Sequence, residues 1–193
     1  MAENILEAEQ QYLSRLLEAI QRCVYFLHAS DRKVSWPLEG NVLAARKKDE
    51  ELFESLSAIN ERFAKLQDIL GAAMRHAAML LGEQADNFLK VLAFYEKTGV
   101  IDAVSSWQLC RTARNLAAHD YETEYAEIAE HFNTLHDLQP MLYQAAGRLL
   151  TTCSVNLGIH PASEDFSQEF SRIVAHLLNP VSHNNLKSTY KDE

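Results

Sequence analysis

The chain has little of what interrupts a helix: among 193 residues there are 6 glycines and 4 prolines. Most fall at punctuation points, Pro37 and Gly40, Gly82, Gly99, Pro140, Gly158 and Pro161, and Pro180. Cysteine is scarcer still. Cys23, Cys110 and Cys153 lie far apart and form no Cys-x-x-Cys pair, so neither a disulfide framework nor a thiolate metal site is expected, and they read as buried fillers. No apolar run approaches the roughly 20 residues of a membrane span. The N-terminus Met1-Ala2-Glu3-Asn4 lacks a basic region followed by an apolar stretch, so no membrane association and a cytoplasmic location are expected. Positive charge is also short: 18 Lys and Arg against 27 Asp and Glu give a net charge of -9. That balance excludes a broad basic footprint of the kind that holds nucleic acid through phosphate neutralisation. Any phosphate site must be a local basic pocket in an acidic body.

What is present is a helical pattern. The hydrophobic share of 47% and charged share of 23% are ordinary for a globular protein, and the length suits one well-buried domain with a terminal extension. Between the breakers the apolar residues recur at three and four, which predicts an all-α, up-and-down bundle of about five helices plus an extra C-terminal helix. A first helix over about 4–29 carries Leu13, Leu17, Ile20, Val24 and Leu27, and a loop over 30–40 with Trp36 and Pro37 turns it back. The longest segment, about 41–81, carries Leu52, Leu56, Ile59, Phe63, Leu66, Leu70, Met74 and Ala77. A third helix is expected over about 83–97, capped by Gly99, with Asp102 capping the next. The stripe Tyr125, Ile128, Phe132, Leu135, Leu142, Ala145 and Leu149 spans Pro140, which is expected to start a new run or kink one. The bundle is assigned to 1–160. Residues 161–193 form an appendage: an amphipathic helix capped by Ser163, with Phe166, Phe170, Ile173, Val174 and Leu177 on one face, and a polar tail.

Chemistry concentrates in the run Arg114-Asn115-Leu116-Ala117-Ala118-His119-Asp120-Tyr121. Arg114 is permanently charged and suited to a phosphate, while His119 exchanges a proton near neutral pH. Phosphodiester cleavage needs both. On a helix, Trp107, Arg111, Arg114, Ala118 and Tyr121 share a face, with Leu109, Ala113 and Leu116 toward the core. Five residues put Arg114 and His119 roughly 140° apart around the axis, so one helix does not bring them together by itself. A plainer reading stands beside this one: Arg114 paired with Glu122 or Glu124, His119 a helix-end residue favoured by the dipole, and Tyr121 a packing residue. Glu122, Glu124, Glu127 and Glu130 read as a solvated face, or as a surface that receives a basic partner. His131 and His136 are five apart rather than the four of a helical metal pair and read as surface or core residues; His28, His76, His160, His176 and His183 form no constellation. No metal and no cofactor are expected.

Read with Phe88-Leu89-Lys90-Val91-Leu92 and Glu96-Lys97-Thr98-Gly99-Val100-Ile101-Asp102, the Arg-Asn…His-Asp-Tyr run resembles the HEPN superfamily, and within it the HepT-like toxins with their arginine, four residues, histidine, any residue, tyrosine motif. The likeness covers about 4–157, with 88–121 as its motif; Ala118 stands where the family tends to carry a larger aliphatic residue. The resemblance implies a two-fold homodimer that brings both motifs into one cleft. It implies metal-independent cleavage of RNA, with tRNA as the substrate class: His119 as general acid or base, Arg114 stabilising the phosphoryl charge, Asn115 orienting the pair and Arg111 as a supporting contact. It implies a minimal nucleotidyltransferase antitoxin as partner, which modifies Tyr121 with AMP. The alternative is a non-catalytic HEPN-like subunit that docks a nucleotidyltransferase and helps present its substrate.

Overall fold

The computed structural model describes residues 2–116 and 124–178, and among them every regular element is an α-helix. The elements are α1 (Ala2–Asp31), α2 (Gly40–Ala45), α3 (Glu50–Leu80), α4 (Phe88–Lys97), α5 (Val104–Leu116), α6 (Tyr125–Leu157) and α7 (Ser167–Leu178). The expected all-α bundle is what they build. The apolar seam of α1, Leu13 to Leu27, is fully buried, as is nearly all of the seam of α3 from Leu52 to Ala77. Each such aliphatic side chain removed from water contributes roughly 1.5–3 kcal/mol. Side-chain bonds fix the directions. Glu9 meets His76 at one end of the α1/α3 pair and Ser30 receives Arg62 at the other, so the two run antiparallel. Asp31 meets His136 while Ser14 meets the segment after α6, so α6 is antiparallel to α1 as well.

Boundaries move where side chains compete for backbone amides. The expected helix over 41–81 is two helices: Asp49 accepts from the amide of Leu52 at 3.0 Å and is itself gripped by Arg46, which makes residue 49 an N-cap and closes α2 before it. α4 begins at Phe88 rather than 83, because the Asn87 side chain accepts from the Leu89 amide at 2.9 Å. α6 is continuous from Tyr125 to Leu157 and does not restart at Pro140, although that proline has no amide to give the carbonyl of His136. Ser163 accepts from the Asp165 amide and heads a turn, so it does not cap α7, which starts at Ser167.

Two glycines are required by geometry. Gly99 has φ +75°, and the left-handed step lets the amide of Val100 reach back to the Tyr95 carbonyl at 2.8 Å, ending α4 as expected. A Cβ on Gly147 would stand 2.7 Å from Val174 Cγ1, so its absence lets α7 seat directly on α6. α7 also packs on α1, and Phe166, the residue just before it, lies 5.6 Å from the Tyr25 ring and 6.0 Å from that of Phe26. It buries Phe170 and Val174. The expected polar tail, Ser182 to Glu193, lies outside the described residues.

Candidate active site at the end of α5

α5 is placed by its first and middle turns. The amide of Val104 takes its hydrogen-bond acceptor from Glu96 Oε1 at 2.9 Å, a side chain reaching over from the last turn of α4. Asp102 is not the cap. The cap position falls on Ala103, whose carbonyl accepts from the Trp107 amide, and the Asp102 carboxylate pairs instead with Arg148 of α6 at 2.5 Å. The helix is therefore tied to both α4 and α6 before its polar end is reached.

The face that α5 buries differs from the expected one. Trp107, Cys110 and Ala113 enter the core, whereas Leu109, expected inward, is 54% exposed. The indole decides the rotation, because it is the largest apolar group on the helix and finds a slot beside Gly71 of α3 and edge-on to Phe88. Small Cys110 and Ala113 then allow close approach, and Gln67 donates to the Trp107 carbonyl at 2.9 Å from inside the bundle. Burial pushes the Cys110 thiol up to about 12, so this sulfur is a packing group and not a nucleophile at neutral pH.

Arg114 follows one residue after the buried stripe and leans over α3. Its Nη1 donates to the carbonyl oxygen of Ala64 at 3.2 Å and to Asp68 Oδ1 at 2.5 Å. The side chain is 18% exposed, against 63% for its aspartate partner. Among the described residues its carboxylate partner is thus Asp68, not Glu124; Glu122 lies outside them. Nothing in the local sequence marks Asp68, a polar residue on α3 that is 46 positions away. Arg111 and Asn115 are exposed on the same helix. His119, Asp120 and Tyr121 lie outside the described residues, so the candidate set is seen here as Arg111, Arg114 and Asn115 alone. Glu124, Glu127 and Glu130 are exposed at the start of α6, in keeping with a solvated acidic face.

The described residues contain no group of three His, Cys, Asp or Glu that could hold a metal ion, and no helix among them is long and apolar enough to cross a membrane. His136 does have a defined role. Its ring stacks on Trp36 with centroids 4.4 Å apart, and its Nδ1 lies 2.7 Å from Asp31 Oδ1. The same oxygen accepts from Gln139 Nε2 at 2.9 Å, and Gln139 Oε1 accepts from the Tyr143 hydroxyl at 2.9 Å. This chain of bonds joins the end of α1 to the middle of α6 and satisfies polar groups that burial would otherwise penalise. His131 lies edge-on to Phe132. Compared with known proteins, the chain matches no protein-family model, no curated protein and no solved structure.

Proposed function

We propose that the chain is a metal-independent endoribonuclease toxin that cleaves RNA, with tRNA as the substrate class, at a composite site across a homodimer, and that a minimal nucleotidyltransferase partner neutralises it by attaching AMP to Tyr121. The observation that supports this reading is the setting of Arg114. A guanidinium held at the end of α5 by Ala64 and Asp68 is fixed before substrate arrives, which lowers the ordering cost of gripping a phosphate. The sequence continues from it through exposed Asn115 to His119, the proton-transfer group. In the reaction the ribose 2′-oxygen attacks the adjacent phosphorus, its proton passes to one histidine, and the departing 5′-oxygen takes a proton from the other. Exposed Leu109 gives the outward face of α5 one apolar side chain that a second copy would cover.

A second reading has its own support. Asp68 already neutralises Arg114, and the body carries a charge of -9, both of which suit a non-catalytic subunit that docks a nucleotidyltransferase. Incubating the purified protein with total tRNA in EDTA separates the two. Cleavage that survives the chelator and disappears in Arg114→Ala supports the ribonuclease. Intact RNA together with a stable complex with the nucleotidyltransferase supports the docking subunit.

A further inference from the structure

At the end of the bundle where α1 finishes, a cleft of about 430 Å³ opens between α1, α6 and α7, within the size range of small-molecule sites. Its lining is out of character for an acidic protein. His28 faces it from the last turn of α1 and Arg32 from the residue just after that helix, Arg172 and His176 face it from α7, and the one carboxylate among the lining side chains is Glu169. Neither Arg32 nor Arg172 forms an ion pair with a described residue, whereas Arg46, Arg114 and Arg148 each do. Two arginines and two histidines against the single carboxylate of Glu169 give the lining an excess of basic groups. His28 sits beside Arg32: its pKa is held below the usual histidine value by burial first and by Arg32 next, with Asp31 pulling the other way and His176 adding to the depression.

The rest of the wall is apolar and aromatic. Tyr143 is buried beneath the cleft, and Tyr25 and Ile173 stand on its sides. A simple anion would leave this surface in water, and a purely apolar ligand would leave the arginines unused. The combination fits a ligand with a flat ring at one end and a phosphate at the other.

We propose that this cleft binds a nucleoside monophosphate, with the phosphate held by Arg32 and Arg172, the ring against Tyr25 and Ile173, and Glu169 accepting hydrogen bonds from ribose hydroxyls or a ring amine. The site stands apart from the ribonuclease reading, because α5 contributes nothing to its lining. Two guanidiniums give bidentate, charge-assisted bonds that an uncharged nucleoside cannot make.

Isothermal titration of the full chain with guanosine 5′-monophosphate, guanosine and inorganic phosphate tests the assignment. The monophosphate is expected to bind at least about tenfold more tightly than either fragment, and Arg32→Gln with Arg172→Gln to weaken it by about tenfold or more. Both arginines are exposed, so the variants are expected to fold, which unchanged circular dichroism checks. Imidazole resonances of His28 and His176 are expected to shift on titration, and Arg114→Ala to bind as the parent does. Binding of guanosine or phosphate as tight as that of the monophosphate, full affinity in the double variant, or no heat and no imidazole shift with any of the three ligands overturns the proposal.

Discussion

Arg114 Nη1 lies 2.5 Å from Asp68 Oδ1, a pairing that bolts the polar end of α5 onto the middle of α3. Because Asp68 is 63% exposed, solvent screens the pair and its contribution to stability is small, under about 1 kcal/mol. Its chemical consequence is larger. Asp68 holds the guanidinium in place and also competes with any phosphate for it.

The ribonuclease reading therefore gives different outcomes for the two partners. Arg114→Ala is expected to lower cleavage of RNA by about 10²-fold or more, the usual cost of losing a donor to a developing oxyanion. Asp68→Ala is expected to keep kcat/KM within a few fold, since the loss of one hold on the guanidinium, which the Ala64 carbonyl still keeps, is offset by removal of the competing carboxylate. Single-turnover assays with unaltered melting temperatures check both, and equal loss in the two variants would make Arg114 a structural tie.

The same reading separates His119 from Tyr121. His119→Ala is expected to abolish cleavage and growth inhibition with helicity intact, while Tyr121→Phe remains toxic. Intact mass after co-expression with a cognate nucleotidyltransferase is expected to show AMP additions to the parent chain and none to Tyr121→Phe. Attached AMP would set a phosphodiester anion against the site meant for RNA. Neutralisation of Tyr121→Phe as efficient as that of the parent would instead point to steric binding.

Much of the fold was legible because apolar spacing is a local signal. The seam Leu13, Leu17, Ile20, Val24 and Leu27 needs no knowledge of its partners to declare a buried face, and all five are 0% exposed. The rotation of α5 was not legible. Leu109 and Cys110 are adjacent and both apolar, and the choice between them was made by a slot beside Gly71 that receives Trp107. Caps were read correctly where glycine forced them, at Gly99, and misassigned where two acids competed: Glu96 reached the amide offered to Asp102 because Arg148 of α6 drew Asp102 away. Asp68 and Asp31 acquire meaning only through Arg114 and His136, 46 and 105 positions distant, and the arginines of the α1/α7 cleft only through each other, which no local period encodes.

Trp107 links the fold to the candidate site. Its ring fills the space between Gly71, Phe88 and the α6 side of the bundle, so truncation leaves a large cavity beneath α5. Trp107→Ala is expected to cost about 3–5 kcal/mol, read as a lower urea midpoint at an unchanged slope. Activity is expected to fall with it even under conditions where the variant is folded, because Arg114 is two turns along the same helix. Wild-type stability in this variant would remove the indole as the determinant of the helix's rotation.

His28 makes the α1/α7 end sensitive to acid. Its pKa lies below the unfolded value of about 6.5, first because the ring is half-buried and next because Arg32 repels a second positive charge beside it. The folded state therefore holds the neutral ring, and the unfolded chain takes up a proton first as pH falls. The contribution to stability is whole above about pH 6.5 and is lost as pH drops through the lowered folded value. Asp49, whose carboxyl the Leu52 amide and Arg46 hold below the usual range, acts in the same direction but only near and below its own ordinary value, well under this window. Urea midpoints at about pH 7.5 and about pH 5.5 are expected to differ more for the parent than for His28→Gln, which cannot take up the proton. A phosphate-bearing ligand bound beside Arg32 would shrink that difference by offering the imidazolium a partner. Parallel curves for parent and variant in the absence of ligand would show that the acid response arises elsewhere.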